Sequence, residues 1–162
     1  MGGRSEFTGM AAGVLALGLT MVADAAFADS APMPDPFSKF STGDAVVLAV
    51  RSEFAPAGGH VRITVYQDAA TFLETAAAKH DALVNEDGIA VVTIKDIRPG
   101  DYSFVAYLDE NGDGKLNRNA LGKPKEPYIF SNGVRPKLRK PTFDETKVSV
   151  APGEVVVLTL KN

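Results

Sequence analysis

The chain has no cysteine and no tryptophan, and only two histidines. Without cysteine there are no disulfides, no thiolate metal ligands and no thiol nucleophile. Stability must then come from packed apolar surface, helped at most by a bound metal. The histidines, His60 and His80, are linked in sequence to no Ser or Asp pattern. A histidine general base needs an orienting partner and a nucleophile or substrate within reach, so both are read as solvent-facing, one at a strand start and one in a loop. A large charge excess is missing too. The formal net charge of −3 argues against nucleic acid as a partner. Beyond residue 28 no apolar run approaches the ~20 residues that span a bilayer.

What is present begins with an export signature. Arg4 precedes an apolar run from Met10 to Leu19 and on to Val22, and Ala26-Phe27-Ala28 before Asp29 is a small-x-small cleavage pattern. Residues 1–28 are therefore read as a signal peptide, which places the rest in the periplasm or outside the cell. A single membrane anchor is the alternative, disfavoured because the apolar core is shorter than the ~20 residues a span requires. Residues 29–43, with Pro32, Pro34 and Pro36, read as a disordered linker. Residues 44–162 remain as one domain with a single core.

That domain reads as β-rich. Ala45–Arg51 is a first strand, and His60–Gln67 alternates Val61, Ile63 and Val65 against Arg62, Thr64 and Tyr66. Ile89–Lys95 and Tyr102–Leu108 come next, the latter with Tyr102, Phe104, Ala106 and Leu108 on one side. Lys147–Val150 and Val155–Lys161 read as a closing pair. Glycine-containing turns precede the second, third and fourth strands. Residues 71–80 carry good helix formers and predict a helical turn or two. The pattern predicts an all-β, Ig-like antiparallel sandwich of about seven strands, with one short helical segment. Residues 121–140, rich in proline, read as a long ordered loop in which Tyr128 and Phe130 need something to pack on.

Residues 109–119 carry the strongest chemical signal. Asp109, Asn111 and Asp113 place side-chain oxygens at alternate positions, Gly114 allows a sharp turn, and the Lys115 carbonyl and Asn117 add two more oxygens. This fits the first half of a D-x-[DN]-x-[DN]-G-x₅-E calcium loop, but Ala120 stands where the bidentate glutamate belongs. A remote carboxylate could complete the set, and Glu126 is the first candidate, with Glu110 the weaker. The alternative is an ion-free turn held by its own side-chain-to-backbone hydrogen bonds.

The run from Ile97 to Asn117 and the run from Leu121 to Asn132, with Pro141-Thr142-Phe143 beyond them, together resemble the DUF2141 family over about residues 55–162. The resemblance implies a transthyretin-like or carboxypeptidase-regulatory-like β-sandwich, exported, with no established activity. Two positions depart from the family pattern. Asn117 stands where Asp is common, and Pro127 replaces the usual small residue after Glu126.

These features support three functional readings. The first is a non-catalytic exported binding or accessory module whose loop is organised by Ca²⁺, on Asp109, Asn111, Asp113, Lys115, Asn117 and Glu126. The second is an envelope structural protein that docks an anionic glycan, a lipid head group or an envelope protein through a basic block. Across residues 115–140 eight Lys and Arg face only Glu126 as an acid, and Lys123, Lys125, Tyr128, Lys137, Arg139 and Lys140 form its candidate surface. The bland version of that block is a solvated loop and a clamp of backbone groups. The third reading is a metal-dependent hydrolase, which needs an open coordination position and a nearby base. No His/Glu/Asp set outside the loop supplies these.

Overall fold

The computed structural model describes residues 43–136 and 139–161. The signal peptide expected over 1–28, the expected linker up to residue 42, and Lys137 lie outside the described residues. Among the described residues, eight strands form two sheets: β1 (Ala45–Ser52), β2 (His60–Tyr66), β3 (Ala78–Leu83), β4 (Ile89–Lys95), β5 (Gly100–Asp109), β6 (Tyr128–Phe130), β7 (Val148–Val150) and β8 (Val155–Leu160). One sheet has the order β4-β1-β8, and the other β3-β2-β5-β6 with β7 also on β5. The protein is an all-β sandwich. Among the described residues no helix is long and apolar enough to cross a membrane.

Period-two patterning decides which side chains meet. Val46, Leu48 and Val50 of β1 face Val61, Ile63 and Val65 of β2 and Phe104, Ala106 and Leu108 of β5 across one core. Phe104 is wholly buried, and burial of a side chain that size stabilises by about 2–3 kcal/mol. β5 is buried along eight consecutive residues, from Tyr102 to Asp109. Its outer face is therefore covered as well, and the segment C-terminal to β5 does much of that covering.

Several sequence expectations change. Residues 71–80 do not form a helix. Hydrogen bonds from the Glu74 and Thr75 amides to the Thr71 carbonyl close one turn, Leu73 adopts a left-handed φ of 65° that stops it, and the chain enters β3. Pairing with β2 from Ala78 to Leu83 satisfies more backbone groups than a short exposed helix would, which overrides a weak propensity. The short helix lies instead at Phe143–Thr146 (α1), where Thr142 and Glu145 form a reciprocal capping box. His80, expected in a loop facing solvent, belongs to β3, and its Nε2 is buried with no hydrogen-bond partner.

The expected closing pair also separates. β7 runs antiparallel to β5, while β8 crosses to the other sheet and runs parallel to β1. Backbone bonds from Gly153 N–H to the Ala45 carbonyl and from Val47 N–H to the Glu154 carbonyl fasten that crossing. The Pro-rich stretch contains an unexpected strand, β6, paired with Val105–Tyr107.

β6 and β7 flank an unpaired step of β5, and three buried hydroxyls bridge it. The Phe104 amide donates to Ser131 Oγ at 2.9 Å, Ser103 Oγ donates to Thr146 Oγ1 at 2.8 Å, and Ser131 Oγ donates to the Thr146 carbonyl. Side chains here do the work of a missing stretch of ladder.

Candidate functional site

β5 delivers Asp109 to the end of the larger sheet, opposite His60 of β2. The Asp109 side chain is fully buried. Its Oδ1 accepts the Gly112 amide at 2.8 Å, and its Oδ2 accepts the Gly114 amide at 2.8 Å and Arg62 Nε at 3.0 Å. Gly112 and Gly114 both sit at φ 74°, a left-handed conformation in which a side chain would be strained. Burial pushes the Asp109 carboxyl up, but the Gly114 amide, the Arg62 guanidinium and the Gly112 amide together hold it below its ordinary value.

Glu126 returns to the same place from the other side. It is buried, with Oε1 accepting the Glu110 amide at 3.1 Å and Oε2 the Asn117 amide at 2.8 Å. One carboxylate thus ties down both flanks of the turn. The Leu108 amide donates to the Pro127 carbonyl at 3.0 Å, so residues 110–126 leave and rejoin the sheet at one point as a closed loop. Glu110, the weaker candidate ligand, is exposed and contributes its backbone amide.

Asp113 organises a second, exposed layer. Its Oδ1 accepts the Lys115 amide at 2.8 Å, while its Oδ2 accepts Asn117 Nδ2 at 2.9 Å and Asn111 Nδ2 at 3.1 Å. Asn117 Nδ2 also donates to the Lys115 carbonyl at 3.1 Å. The Asn117 side-chain amide, the Lys115 backbone amide and the Asn111 side-chain amide all lower the Asp113 carboxyl below its ordinary value. The loop therefore brings Asn111, Asp113, Lys115 and Asn117 together, and places Asp109 and Glu126 beneath them on separate backbone partners. Among the described residues no three His, Asp or Glu side chains are grouped to hold a metal ion.

The outer part of the loop is a small hairpin. Lys125 N–H reaches the Asn117 carbonyl at 2.8 Å and Asn119 N–H the Lys123 carbonyl at 2.8 Å. Asn119 Oδ1 accepts the Leu121 and Lys123 amides, each at 3.0 Å, and Arg118 donates to the Gly122 carbonyl at 2.9 Å. Lys115, Lys123 and Lys125 are exposed. Two further residues of the expected surface are engaged within the protein. Arg139 is bound to Glu145 through both terminal nitrogens, at 2.8 and 2.5 Å. Tyr128 is half-buried, with its hydroxyl donating to the Pro136 carbonyl at 3.2 Å. Lys140 is exposed.

Sequence reasoning missed a charged chain across β3, β2 and β5. His60 Nδ1 lies 3.1 Å from Asp81 Oδ2, Arg62 lies 3.1 Å from the same oxygen, and Arg62 Nε bonds Asp109. The signal for Arg62 was its place on the polar face of β2. Its partner Asp81 stayed hidden because residues 78–83 did not read as a strand.

Comparison with known proteins identifies a family. The family model for DUF2141, an uncharacterized protein conserved in bacteria, matches residues 52–157. No curated protein matches the chain. Among solved structures it is similar to the crystal structure of the major plantain pollen allergen Pla l 1, at 8% identity and a TM-score of 0.32, over 73% of this chain and 95% of that one.

Proposed function

This chain belongs to the DUF2141 family, and from that premise we propose that it is an exported, non-catalytic binding or accessory module whose 110–126 loop is the presenting element. In this reading Asp109 and Glu126 are the loop's internal fasteners. The outer oxygens of Asn111, Asp113, Asn117 and the Lys115 carbonyl take a Ca²⁺ ion. The observation that carries it is the position of Asn117 Nδ2, within 2.9 Å of Asp113 Oδ2 and 3.1 Å of the Lys115 carbonyl. A donor nitrogen stands among oxygens there, and a half-turn of the Asn111 and Asn117 amides offers oxygen in place of nitrogen.

Asp109 already accepts three hydrogen bonds and Glu126 two. Both are buried, so these two support the loop and leave Asp113, which accepts three hydrogen bonds of its own, as the one exposed carboxylate of the set. A single carboxylate with neutral oxygens corresponds to a weak site, with a Kd of about 10⁻⁴–10⁻³ M. The ion supplies local order and no chemistry on a substrate.

Thermal unfolding in chelator and in 10 mM Ca²⁺ tests the metal. At about ten times Kd the ion adds about 1.4 kcal/mol, a rise of several degrees, and Asp113→Asn removes that rise. Identical melting curves with and without Ca²⁺ would overturn the metal reading.

A further inference from the structure

We propose that the loop end of the sandwich docks on an anionic lipid surface, with Leu121 entering the bilayer interface and the cations around it meeting the headgroups. The proposal deepens the accessory-module reading by naming a partner. It needs that reading's presenting loop but not its calcium ion.

The 110–126 loop leaves the sandwich at one end. The registers Arg51↔Ile89, His60↔Leu83 and His60↔Asp109 put the end of β1, the start of β2, the end of β3, the start of β4 and the end of β5 together. Backbone bonds from Gly58 to Val84 and from Ser52 to Gly88 hold the loops there to one another. Of the four large hydrophobic residues exposed among the described residues, Phe54 follows β1 and Leu83 ends β3, while Leu121 lies in the loop that leaves and rejoins the sheet at Asp109 and Pro127. Leu121 is 82% exposed, the most of the four. It sits at the tip of the 117–125 hairpin, a turn set by Asn119 Oδ1 and the Gly122 amide.

Along its own hairpin the charge has one sign. From Lys115 to Lys125 the side chains include Lys115, Arg118, Lys123 and Lys125 and no acid, and all four are exposed. The acids of this end, Glu53, Glu86, Asp87, Glu110 and Asp113, lie in the other loops or at the base of the excursion. A lone leucine at a hairpin tip offers little area to a protein partner, whose interface needs about 1,200 Å² or more. A bilayer interface accepts a single apolar tip without shape complementarity, and anionic headgroups add about fivefold in affinity for each nearby cation. An anionic glycan would engage the cations but gain nothing from Leu121.

The absence of tryptophan from the chain makes the test clean. Leu121→Trp supplies a single reporter at the tip, and the work is done on the full chain in chelator, so the calcium reading does not enter. With vesicles containing about 30% phosphatidylglycerol we expect a blue shift of the tryptophan emission and its quenching by brominated acyl chains. With pure phosphatidylcholine vesicles we expect neither. In cosedimentation the unsubstituted chain should bind the anionic vesicles, Leu121→Ser should bind about tenfold more weakly, and Lys123→Glu with Lys125→Glu at least tenfold more weakly. These positions are exposed, so melting temperatures stay unchanged and folding does not confuse the result. Absence of binding to anionic vesicles overturns the proposal. So does equal binding by Leu121→Ser, or competition by a soluble anionic polysaccharide that ignores Leu121.

Discussion

Two kinds of carboxylate differ in role because of what touches them. Asp109 and Glu126 are buried and engaged by backbone amides, whereas Asp113 is exposed and engaged largely by asparagine amides. Glu126→Gln keeps one acceptor but points an NH₂ group at the second amide, leaving a buried donor unmatched. We expect a loss of about 2 kcal/mol by urea unfolding. Asp109→Asn also strips Arg62 of a partner and should cost about 3 kcal/mol. The pH dependence has a definite sign. The Asp109 and Asp113 carboxyls lie below their ordinary values, and Arg139 with the Thr142 amide takes Glu145 from 4.5 to about 2. Groups depressed in the folded state bind protons more readily when unfolded, so their stabilisation is complete above about pH 4.5. It falls away as pH drops through the folded values. Melting temperature should therefore be flat from about pH 5 to 7 and fall steadily below about pH 4. Carboxyl NMR titration should place Glu145 near 2, moving toward its ordinary value in Arg139→Ala.

The strands show where local preference governs and where it yields. β2 and β4 follow their alternation, and their boundaries lie close to those the pattern predicts. β3 does not, because an alanine-rich segment beside an open edge of β2 gains a full ladder by extending. The splice between β6 and β7 belongs to this scale too. Ser131 and Thr146 are buried and hold β5 where neither strand reaches it. Ser131→Ala should strand the Phe104 amide and cost about 2 kcal/mol, and Thr146→Val about 1–2 kcal/mol. Both should move the urea midpoint and leave the slope unchanged, since the surface exposed on unfolding is the same. Asn132, in the same family motif, takes a left-handed φ of 60° and donates to the Glu145 carbonyl at 3.2 Å. Asparagine tolerates that conformation better than most residues. In this chain Ser131 and Asn132 therefore form a joint in the fold.

Across the molecule, a single core joins two sheets, and the β7-to-β8 crossing joins them again through the chain. Neither sheet has an apolar face that survives alone, so both should unfold in one transition. Phe104→Ala, which empties the centre of the core, should cost about 4 kcal/mol. Amides of β1 and β2 should lose protection together in hydrogen exchange, although they lie in different sheets. Separate transitions for the two sheets would contradict a single cooperative core.

The sequence by itself determined the class of the protein. Period-two alternation in β2, β4 and β5, turns rich in glycine, and paired motifs at 97–117 and 121–132 were enough for an all-β sandwich of the right family. They also singled out Asp109 and Glu126, as members of one candidate Ca²⁺ ligand set, whereas in the fold each fastens the loop through its own amide partners. Tertiary structure alone decided the rest, because it turns on partners far apart in the chain. Only the fold shows that Glu126 bonds the amides of Glu110 and Asn117. Only the fold pairs Arg62 with Asp109 and Asp81, and extends residues 78–83 against β2. β7 and β8 go to different sheets for the same reason: once β5 and β1 each offer an open edge, two edge pairings satisfy more backbone groups than one local hairpin.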